Sequence, residues 1–138
     1  MLYPIFKGTY ERYSGPPSLD PVGLRDSLVT WRKDLSRSID YLQTRNDIDS
    51  SKLGYLGHSL GAEIAPMMLA TERRLAVAVL LSGGLTPVFG KLPEANAINF
   101  LPRVRAPVLM VNGRYDSILP VDSAQEPMFR QLGTPDAD

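Results

Sequence analysis

The sequence predicts an α/β protein, a mostly parallel sheet flanked by helices, and three observations carry that expectation. The runs Leu75 to Leu81 and Pro107 to Val111 are short and continuously apolar, as strands buried on both faces are. From Pro21 to Leu42, apolar residues recur every three or four positions, the period of an amphipathic helix. Along the chain, strand-like and helix-like segments alternate as β, α, β, α, β, loop, β, α, an order that argues for a parallel sheet with helices on both faces.

Each element has a local reason. Leu2-Tyr3-Pro4-Ile5-Phe6 reads as a β-type run bounded by Gly8, and the Ser-Gly-Pro-Pro and Asp-Pro chemistry between Arg12 and Pro21 reads as loop. Asp20 is placed to cap a helix with Pro21 at its first position, and Leu24, Leu28, Trp31, Leu35, Ile39 and Leu42 form its apolar stripe. Asn46-Asp47-Ile48-Asp49 ends that helix, and Lys52 to Leu56 is the next strand. Gly57 to Gly61 then becomes a strand-to-helix turn, followed by a helix from Ala62 to Thr71 and the strand Leu75 to Leu81, which Gly83-Gly84 stops. Residues 85–106, rich in Pro, Gly and Asn, read as surface loop with one helical turn around Ile98 to Leu101. After the strand Pro107 to Val111, Asn112-Gly113 breaks the chain, and Ser123 to Leu132 is the last helix, opened by a Ser123-x-x-Glu126 capping box with Pro127 just inside.

Composition removes several classes of function. The 138 residues suffice for one core, so a single domain over 1–138 is expected. Fifteen basic residues balance fifteen acidic ones, so no net field draws the chain to nucleic acid or an anionic membrane. With no cysteine there is no disulfide, thiolate nucleophile or thiolate metal site, and a single histidine rules out a histidine-rich metal cluster. The apolar run before Lys7 is too short for a signal-peptide core or a bilayer span, so the expected compartment is the cytoplasm.

Chemistry concentrates at Lys52 to Glu63, KLGYLGHSLGAE. A serine hydroxyl is a weak nucleophile and needs a base, a group to orient that base, and donors for the oxyanion formed on attack. A sharp turn from strand to helix exposes the hydroxyl and aims helix N–H groups at that charge. Gly57 and Gly61, two residues before and after Ser59, are expected to be needed because such a turn leaves no room for β-carbons. The five letters alone are modest evidence; the buried-strand pattern before them and the helical pattern after them supply the context. The plain alternative is a glycine-rich turn with a solvated serine.

The chain resembles the α/β-hydrolase superfamily, and more narrowly the dienelactone hydrolase and prolyl-oligopeptidase-like esterases, on LYPIFKGTYER, SIDYLQTRNDID, KLGYLGHSLGAE, LSGGL, INFLPRVRAPVLMVNGRYD and QEPMFRQLGTP. The resemblance implies hydrolysis of a carboxylic ester or lactone through an acyl-enzyme on Ser59, a small-molecule ester as partner, and no cofactor or metal. It also implies Asp116 as the acid of the triad and the Leu60 backbone N–H as an oxyanion donor. Asp116 stands out independently, because an acidic residue past the carboxyl end of a buried strand lies where this architecture keeps its reactive groups. Its plain reading is a cap for its own turn. Asp122 is the reserve acid, with capping of the final helix as its simpler role.

The base is the difficulty. His58 adjoins the nucleophile, and neighbouring side chains on such a turn diverge, so a packed or partly exposed histidine beside the site is expected rather than a general base. Lys52 and Lys91 lie in the wrong places to substitute. The resemblance places the triad histidine after one further strand, and the second oxyanion donor before the segment LYPIFKGTYER. The chain is therefore expected to be an internal piece of a serine hydrolase, lacking early strands and the last strand, with slight activity alone and a gap or non-native pairing between Leu2–Phe6 and Lys52–Leu56. A non-catalytic binding module, or a peptidase or acyltransferase of the same fold, is the alternative. The 85–106 loop is the candidate pocket lining, with Tyr10 and Phe89 as candidate aromatic walls, and Arg103 and Arg105 as weak candidates for an acidic substrate.

Overall fold

Asp20 starts the first helix as its sequence suggests: its carboxylate accepts the N–H groups of Val22 and Gly23, both at 3.0 Å, with Pro21 in the first turn. A computed structural model describes residues 1–13, 15, 20–89 and 91–134, with the side chain of Phe89 outside the described part. In it α1 (Pro21–Gln43) buries Leu24, Leu28, Trp31, Leu35 and Ile39 of the predicted stripe, with Leu42 half-buried at its end. Each such burial contributes roughly 1.5–3 kcal/mol of transfer free energy.

Three parallel strands follow, β1 (Leu53–His58), β2 (Leu75–Leu81) and β3 (Val108–Val111), in the order β1-β2-β3. Their register sets Leu56 beside Val79 and Val79 beside Leu109; at the carboxyl edge His58, Leu81 and Val111 lie level. Between β1 and β2 stand α2 (Leu60–Glu63) and α3 (Ala65–Thr71), and α4 (Glu126–Arg130) is the last described helix. Leu53, Ala78 and Leu80 join α1, α3, Leu101, Val104 and Met128 in one core.

Several expectations are corrected. No strand forms at Leu2 to Phe6. The segment runs along α1 instead: Phe6 stacks on Trp31 with ring centroids 6.0 Å apart, the Trp31 indole donates to the Lys7 carbonyl at 2.9 Å, and the Lys7 N–H donates to Asp34 at 2.8 Å. Exposure alternates along it, with Tyr3 and Ile5 exposed and Phe6 packed on the core, but its carbonyls are taken locally, that of Ile5 by Arg12 and that of Phe6 by Thr9. The strands accordingly pair without a gap. The single helix expected from Ala62 to Thr71 starts earlier and breaks at Ile64, because Pro66 has no N–H for the Ala62 carbonyl.

Among the described residues the helices serve one sheet face, not two; on the other, Leu56, Val77, Leu109 and Val111 are exposed. The described residues of 85–106 form four short 3₁₀ turns rather than one, and bury Leu101 and Val104 completely instead of lying on the surface. The last helix opens with a π turn, Val121–Gln125, and its capping box does not form: Glu126 pairs with Arg130 at 2.8 Å, and Ser123 lies within the π turn.

Candidate active site

Ser59 stands where β1 turns into α2, with φ +50° and ψ −115°, a conformation that L-residues adopt only under constraint. The constraint is visible. Its N–H donates to the Leu81 carbonyl at 2.9 Å, fixing the turn to β2, and its carbonyl accepts Ala62 and Glu63 N–H at 2.8 and 2.9 Å, which starts the one-turn helix. The side chain is exposed and makes no capping bond, so its hydroxyl is not consumed by its own helix. The N–H groups of Leu60 and Gly61 take no main-chain acceptor among the described residues, as a helix start requires.

The two motif glycines differ. A β-carbon on Gly57 would lie 2.6 Å from the Gly61 carbonyl oxygen and 2.8 Å from Tyr55 Cε1, so the close approach there excludes any side chain. A β-carbon on Gly61 would meet only Tyr55 Oη, at 3.9 Å, an ordinary contact, which corrects the expectation that both positions are closed.

Asp116 leaves the same sheet edge beyond β3, with β2 between it and Ser59. Its Oδ1 accepts the N–H groups of Ile118 and Leu119 at 2.9 and 3.0 Å, so the turn-capping geometry is present; Oδ2 takes no bond from a described residue. Two amides that sequence reasoning missed hold this loop. Asn112 binds Gly83 through both ends of its side chain, and buried Gln125, in the π turn, donates to the Gly113 and Leu119 carbonyls at 3.0 and 2.7 Å, the two ends of the Asp116 loop. A polar residue just past a strand, and another at the start of the last helix, were the only signals.

The other candidates fall away from this edge. His58 is exposed, and strand alternation sends its side chain to the face opposite Tyr55. Asp122 is exposed and is not the cap of the final helix: Pro120 occupies the cap position of the π turn. Tyr10 meets Tyr3 edge-on at 6.3 Å. Arg103 and Arg105 precede β3, at the sheet's amino edge, and line a cleft with Arg73. Lys52 pairs with Asp49 at 3.2 Å before β1, and Lys91 lies exposed in the loop. No cluster of potential metal ligands occurs among the described residues, and none of their helices is long and apolar enough to cross a membrane.

Parallel strands with a serine turn and an acidic loop at one edge are the partial fold of an α/β-hydrolase. A cold-adapted esterase from an Arctic intertidal metagenomic library, in its PEG-bound complex, has this fold, with TM-score 0.71, 22% identity, and coverage of 94% of this chain and 54% of that one. The AtxE2 isopeptidase shares it at TM-score 0.61 and 18% identity, over 88% of this chain and 22% of the isopeptidase. Residues 25–132 match the dienelactone hydrolase family, and the chain belongs to that family. Uncharacterized proteins from two strains of Mycobacterium tuberculosis are 29% identical to it, covering 80% of this chain and 42% of theirs. The chain thus spans less than half the length of these curated relatives and about half that of the esterase.

Proposed function

We propose that this chain carries the nucleophile and acid of a serine hydrolase that cleaves a carboxylic ester or lactone. The observation that supports the reading best is the backbone of Ser59: a strained φ and ψ that leave the hydroxyl exposed at the start of a helix, on the edge that also holds Asp116. In this reading Ser59 Oγ attacks the substrate carbonyl while a general base removes its proton. Negative charge gathers on the carbonyl oxygen beside the Leu60 N–H, and the tetrahedral adduct collapses to an acyl-serine as the alcohol leaves. Water, activated by the same base, then releases the acid. Asp116 Oδ2 orients the base, with Oδ1 held by its own loop. His58 does not serve, since its side chain leaves on the other sheet face. The reading therefore takes its histidine and its second oxyanion donor from sequence outside residues 1–138.

The test is a fluorophosphonate probe applied to the longer gene product, with the labelled residue mapped by mass spectrometry. Labelling at Ser59, lost in Ser59→Ala together with hydrolysis of p-nitrophenyl butyrate, is the expected result. One observation favours a second reading: the histidine of this chain is turned away from the serine. A non-catalytic binding module of the same fold predicts no labelling of Ser59 in the longer product.

A further inference from the structure

The turn that carries Ser59 opens a helix of a single turn. Because the helix breaks at Ile64, α2 has four residues and cannot borrow its direction from α3. Around the break the Ile64 N–H donates to the Leu60 carbonyl, and the Met67 and Met68 N–H groups donate to the Ile64 carbonyl. The Gly61 carbonyl accepts instead from a side chain, the hydroxyl of Tyr55, at 2.6 Å.

Tyr55 lies four residues before Ser59 on β1, facing the helices. Burial pushes its phenol well above the ordinary value of 10.0, so the group stays protonated and a donor throughout the working pH range. Its ring edge and the Gly61 main chain both close on the bare Cα of Gly57, each within 3 Å of where a β-carbon would stand. Strand, tyrosine and serine turn are thus stacked with no slack. A phenylalanine would fill the same space and lose only the hydroxyl that joins β1 to the Gly61 carbonyl.

We propose that Tyr55 is a positioning residue, whose hydroxyl, by holding the Gly61 carbonyl, sets the angle at which Ser59 and the Leu60 N–H meet the reacting carbonyl. This rests on the serine-hydrolase reading. Tyr55 is half-buried against the core while Ser59 is exposed, so the bond acts through the geometry of the turn and not through a contact with substrate. Loss of one neutral hydrogen bond, worth about 1 kcal/mol, corresponds to a roughly five- to ten-fold slower chemical step.

The test measures kcat and KM for p-nitrophenyl butyrate in the longer gene product, well below its unfolding temperature. Tyr55→Phe is expected to lower kcat about five- to ten-fold with KM within about two-fold. p-Aminophenylalanine placed at position 55, which restores a donor, is expected to recover most of the rate. Ser59→Ala reports on the underlying reading: if turnover survives it, that reading fails and this proposal with it. If Ser59→Ala abolishes turnover while Tyr55→Phe keeps the parental kcat, only the role of Tyr55 is overturned. Should the phenylalanine variant not fold, the amino variant decides: folded with near-parental kcat supports the proposal, and folded with a large loss of kcat overturns it.

Discussion

Asn112 grips Gly83 by both ends of its amide, accepting the glycine N–H at 3.1 Å and donating to its carbonyl at 2.7 Å. The pair continues the β2–β3 ladder one step past Val111 and sets where the Asp116 loop leaves the sheet. Asn112→Ala removes both bonds and leaves two half-buried backbone groups to find water. We expect a loss of about 1–3 kcal/mol in unfolding free energy, read from the urea midpoint. On the serine-hydrolase reading, kcat of the longer gene product should fall further than that loss accounts for, because the Asp116 loop is displaced. An unchanged midpoint would show that water replaces the amide freely.

Gly57→Ala and Gly61→Ala are expected to separate sharply. At Gly57 the new methyl would meet backbone at 2.6 Å, which only a shift of the serine turn relieves, so overpacking of about 1–3 kcal/mol is expected along with loss of Ser59 labelling. At Gly61 the methyl has ordinary clearance and gains helix propensity, so the fold should be unchanged or slightly stabilised. Thermal midpoints and probe labelling of the two variants give the comparison; equal damage from both would refute the geometry of the turn.

The difference between those glycines marks what the sequence can and cannot convey. Periodicity placed α1 and short apolar runs placed β1, β2 and β3, because burial of a stripe or of a run leaves its pattern in the residues. The serine turn was legible from its flanks. Tyr55, Asn112 and Gln125 were not, since each acts through a hydrogen bond to a carbonyl distant from the pattern that surrounds it. Leu2 to Phe6 misled for a related reason: a β-type apolar run shows that side chains are covered and not what covers them, and here Phe6 is covered by α1 rather than by a neighbouring strand.

Glu72 should govern part of the acid stability. Nearly buried at the end of α3, it binds Arg74 through both oxygens at 2.7 and 2.8 Å, with Ser36 at 3.1 Å and Arg32 at 3.4 Å. Arg74 first, then Ser36 and Arg32, pull its carboxyl from the ordinary 4.5 down to about 2 against the opposing effect of burial. A folded-state value below the unfolded one means the stabilisation is complete above about pH 4.5 and is lost as pH falls toward 2. Glu72→Gln should cost about 3 kcal/mol at pH 7, by leaving Arg74 and Arg32 without their shared carboxylate, and much less at pH 3. Urea midpoints between pH 3 and pH 7 test this, and a pH-independent difference between the two proteins would contradict it.

Trp31, the sole tryptophan, reports on the docking of the N-terminal segment. Its ring is stacked on Phe6 at an interplanar angle of 20°, and its indole N–H is held by the Lys7 carbonyl, so the segment forms one wall of its surroundings. Phe6→Ala removes the stacked ring while leaving the α1 stripe intact. The cost should be about 1–2 kcal/mol, below that of a fully buried phenylalanine because Phe6 is only half-buried. The sharper readout is spectroscopic: water gains access to the indole, so emission of the folded protein should shift to longer wavelength and acrylamide quenching should rise. If Leu2 to Phe6 instead docked as a sheet strand away from α1, neither signal would respond to this substitution, and the packing of the segment on α1 would be refuted.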